Sequence, residues 1–238
     1  MTIFRRLREF GMYSYMPILK PLLSTTNKQN RKIWCRSKRN WYMEHWGKVL
    51  FSDESRFQLY SSRKVRVRRT PTEKFLPDCL VPAVQGGGGA VMIWGCMSAA
   101  GTGILRFIQG TMNSEEYTTT MRENMLPSAQ MLHNGYFVYQ QDNATYHKSA
   151  ATMQWFENEG ISLLQWPARS PDLNPIENLW NIIGVRVADR QPRNVQELRE
   201  IISEVWNEIT PQECRKLILG MRKRITLCLK EKGGPIDY

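Results

Sequence analysis

The sequence predicts an α/β protein in which a mixed sheet is flanked by helices. Three observations predict it. Short apolar runs follow one another in hairpin succession through the first half, strand and helix signals then alternate, and several helices open on capping pairs.

Residues 1–23 begin as a short basic helix, TIFRRLREFG, and continue into the Pro-containing YMPILKPLLS. A helix of that length without a core of its own does not persist alone, so this stretch reads as a tail or linker. A polar, basic helix is expected over residues 24–46, with Ile33 and Trp34 on one side. Lys48-Val49-Leu50-Phe51-Ser52-Asp53 is an apolar run ending in an acid, and residues 55–60 (SRFQLY) alternate as a second strand does. Residues 61–89 are irregular, basic and Pro-rich, and close on QGGGGA. Consecutive glycines mean a mobile backbone or a close approach to another chain, a flexible loop being the default. Residues 90–98 (AVMIWGCMS) form a buried strand, with 103–109 pairing beside it.

Asn113 with Glu116 is a capping box for a helix to about His133. Gly135 breaks the chain, and residues 136–141 (YFVYQQ) form a strand that ends at Asp142. A helix over 144–159 stops at Gly160, and 161–165 (ISLLQ) is a short strand. In WPARSPDLNPIENLW, Asn174 as cap, Pro175 in the first helical position and Glu177 three residues after the cap open another helix. Its apolar face carries Ile176, Leu179, Trp180, Ile183 and Val187, and it ends before Gln191-Pro192. Within residues 192–238, Asn194 with Glu197 and Thr210 with Glu213 cap two more amphipathic helices, and Lys232-Gly233-Gly234-Pro235 ends the last.

The chain has 238 residues, enough for one substantial core or a core domain with short appendages. No apolar run approaches the ~20 residues that cross a bilayer. Its five cysteines never fall as C-x-x-C, so reduced thiols in an intracellular protein are expected rather than a disulfide frame or a zinc site. The net charge is +11, concentrated in KQNRKIWCRSKRNW, SSRKVRVRRT and CRKLILGMRKR. Basic residues interleaved with aromatics suit phosphates and stacked bases, whereas a merely solvated surface needs no clustering. Arg63, Lys64, Arg66, Arg68 and Arg69, together with Arg222, Lys223 and Arg224, are therefore candidate nucleic-acid contacts.

Two aspartates, Asp53 and Asp142, fall at the ends of apolar strands, the edge where α/β folds place reactive groups. Either one alone reads equally as a turn residue, and Glu177 alone reads as part of a cap. Together the three carboxylates could converge on one sheet edge, where they repel one another unless cations join them. Oxygen donors with few histidines point to Mg²⁺ or Mn²⁺ rather than zinc. Two such ions serve phosphodiester chemistry by activating a nucleophile and stabilising the leaving oxygen.

VLFSDESRF, VMIWGCMSAAGTG, QQDNATYHKS, WPARSPDLNPIENLW and the closing KEKGGPIDY resemble the Tc/mariner superfamily of cut-and-paste DNA transposases. The 34 residues between Asp142 and Glu177 match the Asp-Asp-Glu form of that family's triad. The resemblance implies an RNase H-like, retroviral-integrase-like domain over residues 24–238, with a mixed five-stranded sheet flanked by helices. It also implies that Asp53, Asp142 and Glu177 hold two Mg²⁺ (or Mn²⁺) ions. The reaction it implies is hydrolysis at transposon ends, then attack of the freed 3′-hydroxyl on target double-stranded DNA, commonly at TA. Residues 61–89 match the family's clamp-type loop, and 1–23 resemble the end of its last recognition helix plus linker, without the rest of the helix-turn-helix region. A homodimer and action in the nucleus are family expectations. Asn143 and His147 match the motif after the second aspartate; His147 could hold a phosphate, order the metal shell, or be a structural hydrogen-bonder. Asp172 and Asn174 shape the turn before the Glu177 helix, His45 and His133 have no metal-like spacing, and Trp94, Trp166 and Trp180 read as core. The chain departs from the family at Thr145, where proline is usual, and at Asn181-Ile182-Ile183-Gly184, where relatives are basic; a mid-helix Gly costs about 1 kcal/mol against Ala. The alternative function is a truncated or domesticated relic that binds DNA without cutting it.

Overall fold

A computed structural model describes residues 3–13, 22–59 and 88–237 of the chain. Helix α1 spans Ile3–Glu9. Helix α2, Thr25–Ser37, is capped by Ser24, whose hydroxyl accepts from the Asn27 N–H. Helix α3 is a single turn, Met43–Trp46. The one long helix expected over 24–46 is therefore broken. Trp34 and Trp46 would lie about 120° apart on one straight helix. The turn at 38–42 brings both indoles onto the core, with Trp41 against Trp46 and Trp34 against Trp166.

The second correction matters more. Residues expected as two strands form one, β1, Val49–Gln58. It pairs antiparallel with β2, Ala90–Ser98, from Phe51↔Met97 through Asp53↔Gly95 to Gln58↔Ala90. Continuous pairing carries the backbone through Asp53 and Glu54, although both acids disfavour a strand. The segment expected over 103–109 is strand only at β4, Arg106–Ile108, and a further short strand, β3 (Gly101–Thr102), precedes it; both are antiparallel to β2. β5, Val138–Gln140, runs parallel to β1 in the register Val49↔Val138 to Phe51↔Gln140. The sheet has five strands, ordered β3-β2-β1-β5, with β4 also pairing β2. Residues 161–165 contribute only a parallel bridge, Tyr139↔Leu163.

Strand alternation sorts side chains to two faces. Val49, Phe51, Phe57, Val91, Ile93 and Met97 point to one. Leu50, Trp94, Cys96 and Tyr139 point to the other. The second face is covered by α4 (Ser114–Thr120), a π turn over Met121–Met125, α5 (Leu126–His133) and α6 (Ala150–Asn158). The first is covered by α2, α3, α7 (Ile176–Asp189), α8 (Val195–Asn207), α9 (Pro211–Leu219) and α10 (Met221–Lys230). All five apolar positions expected of α7 are buried. Asn194 and Thr210 cap α8 and α9 as expected. Asn113 accepts from Glu116 N–H, but the Glu116 carboxylate is taken by Arg106, so that capping box is half made. Among the described residues no helix is long and apolar enough to cross a membrane, and Cys35, Cys96, Cys214 and Cys228 are buried free thiols.

Candidate active site

Asp53 lies midway along β1 and not at its end, contrary to expectation. The useful edge is set by the neighbour: β5 stops at Gln140, opposite Phe51, so β1 has no parallel partner beyond that point. On its other side Asp53 faces Gly95, where a Cβ would come within 2.7 Å of both Trp180 and Trp206. The missing side chain lets those indoles stack, 5.4 Å between centroids, across the sheet. Trp180 Nε1 then donates to Asp53 Oδ2 at 3.2 Å. Burial pushes the Asp53 carboxyl well above its ordinary range, and the charges of Glu177, Glu54 and Asp142 push it further.

Asp142 follows the end of β5, with its side chain 55% exposed. Its Oδ1 accepts from Ala144 N–H at 2.8 Å and meets His147 Nδ1 at 2.6 Å. This folding of 142–148 around the carboxylate delays α6, expected from 144, until Ala150, where Ser149 caps it. His147 consequently precedes the helix instead of opening it. It is 3% exposed, packed between Tyr117 (4.1 Å) and Tyr146 (4.4 Å), with Nε2 3.4 Å from Glu54 Oε1. Burial alone would lower the imidazole pKa; hydrogen bonding to Asp142 and Glu54 and their charges raise it to about 9. Burial likewise works against the Asp142 carboxylate, but the His147 and Ala144 hydrogen bonds hold it below its usual value.

Glu177 lies in the first turn of α7, and Asn174 fixes where that helix starts. Asn174 Nδ2 donates to Ser52 O at 3.1 Å, next to Asp53, while its Oδ1 accepts from Ile176 N–H at 3.3 Å. One amide thus joins the helix start to β1. Burial raises the Glu177 pKa, the Arg224 charge opposes this, and the Asp142 charge adds to it. Arg224 corrects an expectation. It is 1% exposed, donating to Asp172 O at 2.7 Å and to Asn178 Oδ1, so it serves the interior behind Glu177 and is no surface phosphate contact.

Arg222 and Lys223 are exposed, with Arg222 over the Tyr42 ring. Arg63, Lys64, Arg66, Arg68 and Arg69 lie outside the described residues, as do Gly86 and Gly87 of the glycine run. The base of that segment is closed by Leu59 N–H donating to Gly89 O at 3.0 Å. Asn143 Nδ2 donates to Trp166 O at 2.9 Å and so pins the exit of β5. Trp94, Trp166 and Trp180 are core, as expected; the donation of Trp180 to Asp53 was not. Among the described residues, no group of three His, Cys, Asp or Glu side chains is drawn together closely enough to hold an ion. The acids share a field, but Asp53 and Asp142 are each held by their own partner. That is compatible with Mg²⁺, which keeps several waters and takes one or two carboxylates plus substrate phosphates. The donor set, oxygens from three acids that raise one another's proton affinity, fits hard divalent cations.

An RNase H-like mixed sheet with acids on β1, beyond β5 and at the start of a later helix defines a class of nucleic-acid-processing enzymes. A model described as DDE superfamily endonuclease matches residues 48–199. The Tc1 transposase of Caenorhabditis elegans is 34% identical over 238 residues, all of this chain and 87% of that protein. The Tcb1 transposase of Caenorhabditis briggsae is 33% identical over the same shares. Among solved structures, the Mos1 transposase paired-end complex with left transposon end superposes with a TM-score of 0.82 at 18% identity, covering 98% of this chain and 70% of that one. The Mos1 mariner catalytic domain covers 92% of this chain and 100% of its own, with a TM-score of 0.72 at 16% identity. The chain belongs to the DDE superfamily endonucleases, in the Tc/mariner transposase group.

Proposed function

We propose that Asp53, Asp142 and Glu177 are the acids of a DNA transposase and that they hold two Mg²⁺ or Mn²⁺ ions. The chain is a transposase catalytic domain that cuts double-stranded DNA at transposon ends and joins the 3′-hydroxyl to target DNA. Structures of Mos1 with Mn and with Mg, and its strand transfer complex, support the metal and the substrate by likeness. The paired-end complexes among them favour a homodimer. The finer assignments are ours: TA target sites, action in the nucleus, residues 24–238 as the catalytic unit with 61–89 as its clamp-type loop, and 1–23 as the end of a DNA-reading helix plus linker.

The observation that carries the reading is placement: the Asn174 side chain at the start of α7 donates to Ser52 O beside Asp53, and Asp142 follows the end of β5, the parallel neighbour of β1. Burial raises the carboxyls of Asp53 and Glu177, and the charges of the neighbouring acids add to it, although the acids arise from three separate elements. Bound divalent ions would activate the attacking oxygen and offset charge on the leaving oxygen. The chain's own contribution is to hold the acids. Trp180 orients Asp53, His147 and the Ala144 N–H orient Asp142, and Asn174 sets the height of Glu177 against β1. The exposure of Asp142 leaves this edge open to a DNA backbone.

The test is nicking of DNA carrying the element's ends by purified protein in Mg²⁺ or Mn²⁺. Asp142→Asn should abolish cutting while circular dichroism stays that of the parent. Equal cutting by Asp142→Asn, or cutting in chelator, would falsify the assignment. Salt-sensitive DNA binding with no metal-dependent cutting would instead point to the non-catalytic relic.

A further inference from the structure

We propose that Glu54 is a positioning residue for this reaction, holding the Asp142 carboxylate through the His147 imidazole from the sheet face opposite Asp53. The inference rests on Asp142 being one of the reactive acids.

Neighbours along an extended strand point to opposite faces. Asp53 points to the face of Trp180, which donates to it. Glu54 points to the face of Ser52, whose hydroxyl bonds Tyr139, and of Trp94, its neighbour on β2. A side chain on that face does not share an ion with Asp53, so Glu54 is not a fourth equivalent acid.

His147 Nδ1 is 2.6 Å from Asp142 Oδ1, and Nε2 is 3.4 Å from Glu54 Oε1. Each ring nitrogen thus faces a carboxylate oxygen, which fixes the ring's flip. The tyrosine rings of 117 and 146 fix its plane. The Glu54 side chain is 14% exposed, against 55% for Asp142. The buried acid therefore anchors the exposed one. Apart from this facing contact, His147 Nε2 and Glu54 Oε1 are buried with no well-aligned hydrogen-bond partner, which leaves each as the other's natural partner. Groups that orient a metal-binding side chain from behind typically alter metal affinity or activity 10–100-fold when removed.

The experiment compares Glu54→Gln, His147→Gln, their double variant and Asp142→Asn in the full chain. Mn²⁺ binding is followed by electron paramagnetic resonance with end-containing DNA present, and DNA nicking is measured across Mn²⁺ concentrations. Glu54→Gln should weaken Mn²⁺ binding by roughly 10–100-fold. Nicking should be lost at low Mn²⁺ and largely regained at saturation, whereas Asp142→Asn stays inactive throughout. The double variant should be no worse than the worse single, because the two residues act as one unit. If Glu54→Gln fails to fold, Glu54→Asp, which keeps the charge but withdraws it from His147, is held to the same result. Wild-type Mn²⁺ dependence in the Glu54 variant, with Asp142→Asn dead, overturns this inference alone. Active Asp142→Asn overturns the reading beneath it.

Discussion

Asp172→Ala should unfold this protein far more readily than the loss of any surface acid. Arg31 is fully buried, and its guanidinium donates to Asp172 Oδ1 at 2.6 Å, Asp172 Oδ2 at 2.7 Å, Gly233 O at 2.9 Å and Gly234 O at 3.0 Å. Asp172 Oδ2 also accepts from Ile236 N–H at 2.9 Å. One bidentate pair therefore ties α2, the turn leading to Glu177 and the C-terminal tail together. Removing the carboxylate strands a charge in the interior, which costs about 3–5 kcal/mol. For a domain of this size that corresponds to a fall of roughly 6–20 °C in Tm.

The control is Glu204→Ala. Arg190 bonds Glu204 at 2.7 Å and Glu208 at 2.5 Å, but both carboxylates are exposed, and such pairs contribute about 0–1 kcal/mol. Urea unfolding of the metal-free variants, followed by circular dichroism, compares them directly. The double variant Arg31→Met with Asp172→Leu should recover part of the loss, since the stranded charge is gone but the bonds to Gly233 O, Gly234 O and from Ile236 N–H go with the pair. Equal midpoints for Asp172→Ala and Glu204→Ala would refute the reasoning, because the buried charge would then have found another partner.

Gly95→Ala pushes a methyl into the stacked Trp180 and Trp206 rings, and overpacking of this kind costs about 1–3 kcal/mol; an unchanged Tm would contradict it. Arg222→Ala and Lys223→Ala should each lower the salt slope of DNA binding by about one, measured by fluorescence anisotropy. Arg224→Ala should leave that slope alone and lower Tm instead, and the opposite pattern would place Arg224 at the DNA. Asp53→Asn should abolish cutting yet raise the Tm of the metal-free protein near pH 7. The native Asp53 carboxyl is held well above its ordinary 3.8, so the native state binds the extra proton and metal-free stability falls as pH rises from about 4. A lower Tm for Asp53→Asn at neutral pH would show that the charge stabilises the fold.

What could be read in the sequence was what repeats along it. The α7 face has a helical period, and its five apolar residues are all buried. Arg222, Lys223 and Arg224 look alike in a basic run, but periodicity separates them. Met221, Ile225 and Cys228 mark the inner face of α10, and Arg224 shares it. The Arg31–Asp172 pair, 141 residues apart, leaves no such trace. VLFSD reads as an apolar run ending in an acid; the pairing that carries the strand on through Asp53 comes from β2, which that run does not contain.

The acids differ in how they are held, and the difference follows the geometry. Glu177 is placed by the helix start, which the Asn174 side-chain amide ties to the Ser52 carbonyl. Asp53 is placed by a strand and one indole N–H. Asp142 lies past the end of its strand, the most exposed position, and depends on a side-chain chain running from Glu54 through His147. On the proposed assignment Asp142 meets both metal and DNA and has to face solvent, so its support has to come from behind. The sheet face opposite Asp53, covered by α4, α5 and α6, is the side from which that support is reached, and the alternation of Asp53 and Glu54 along β1 lets one strand serve both sides.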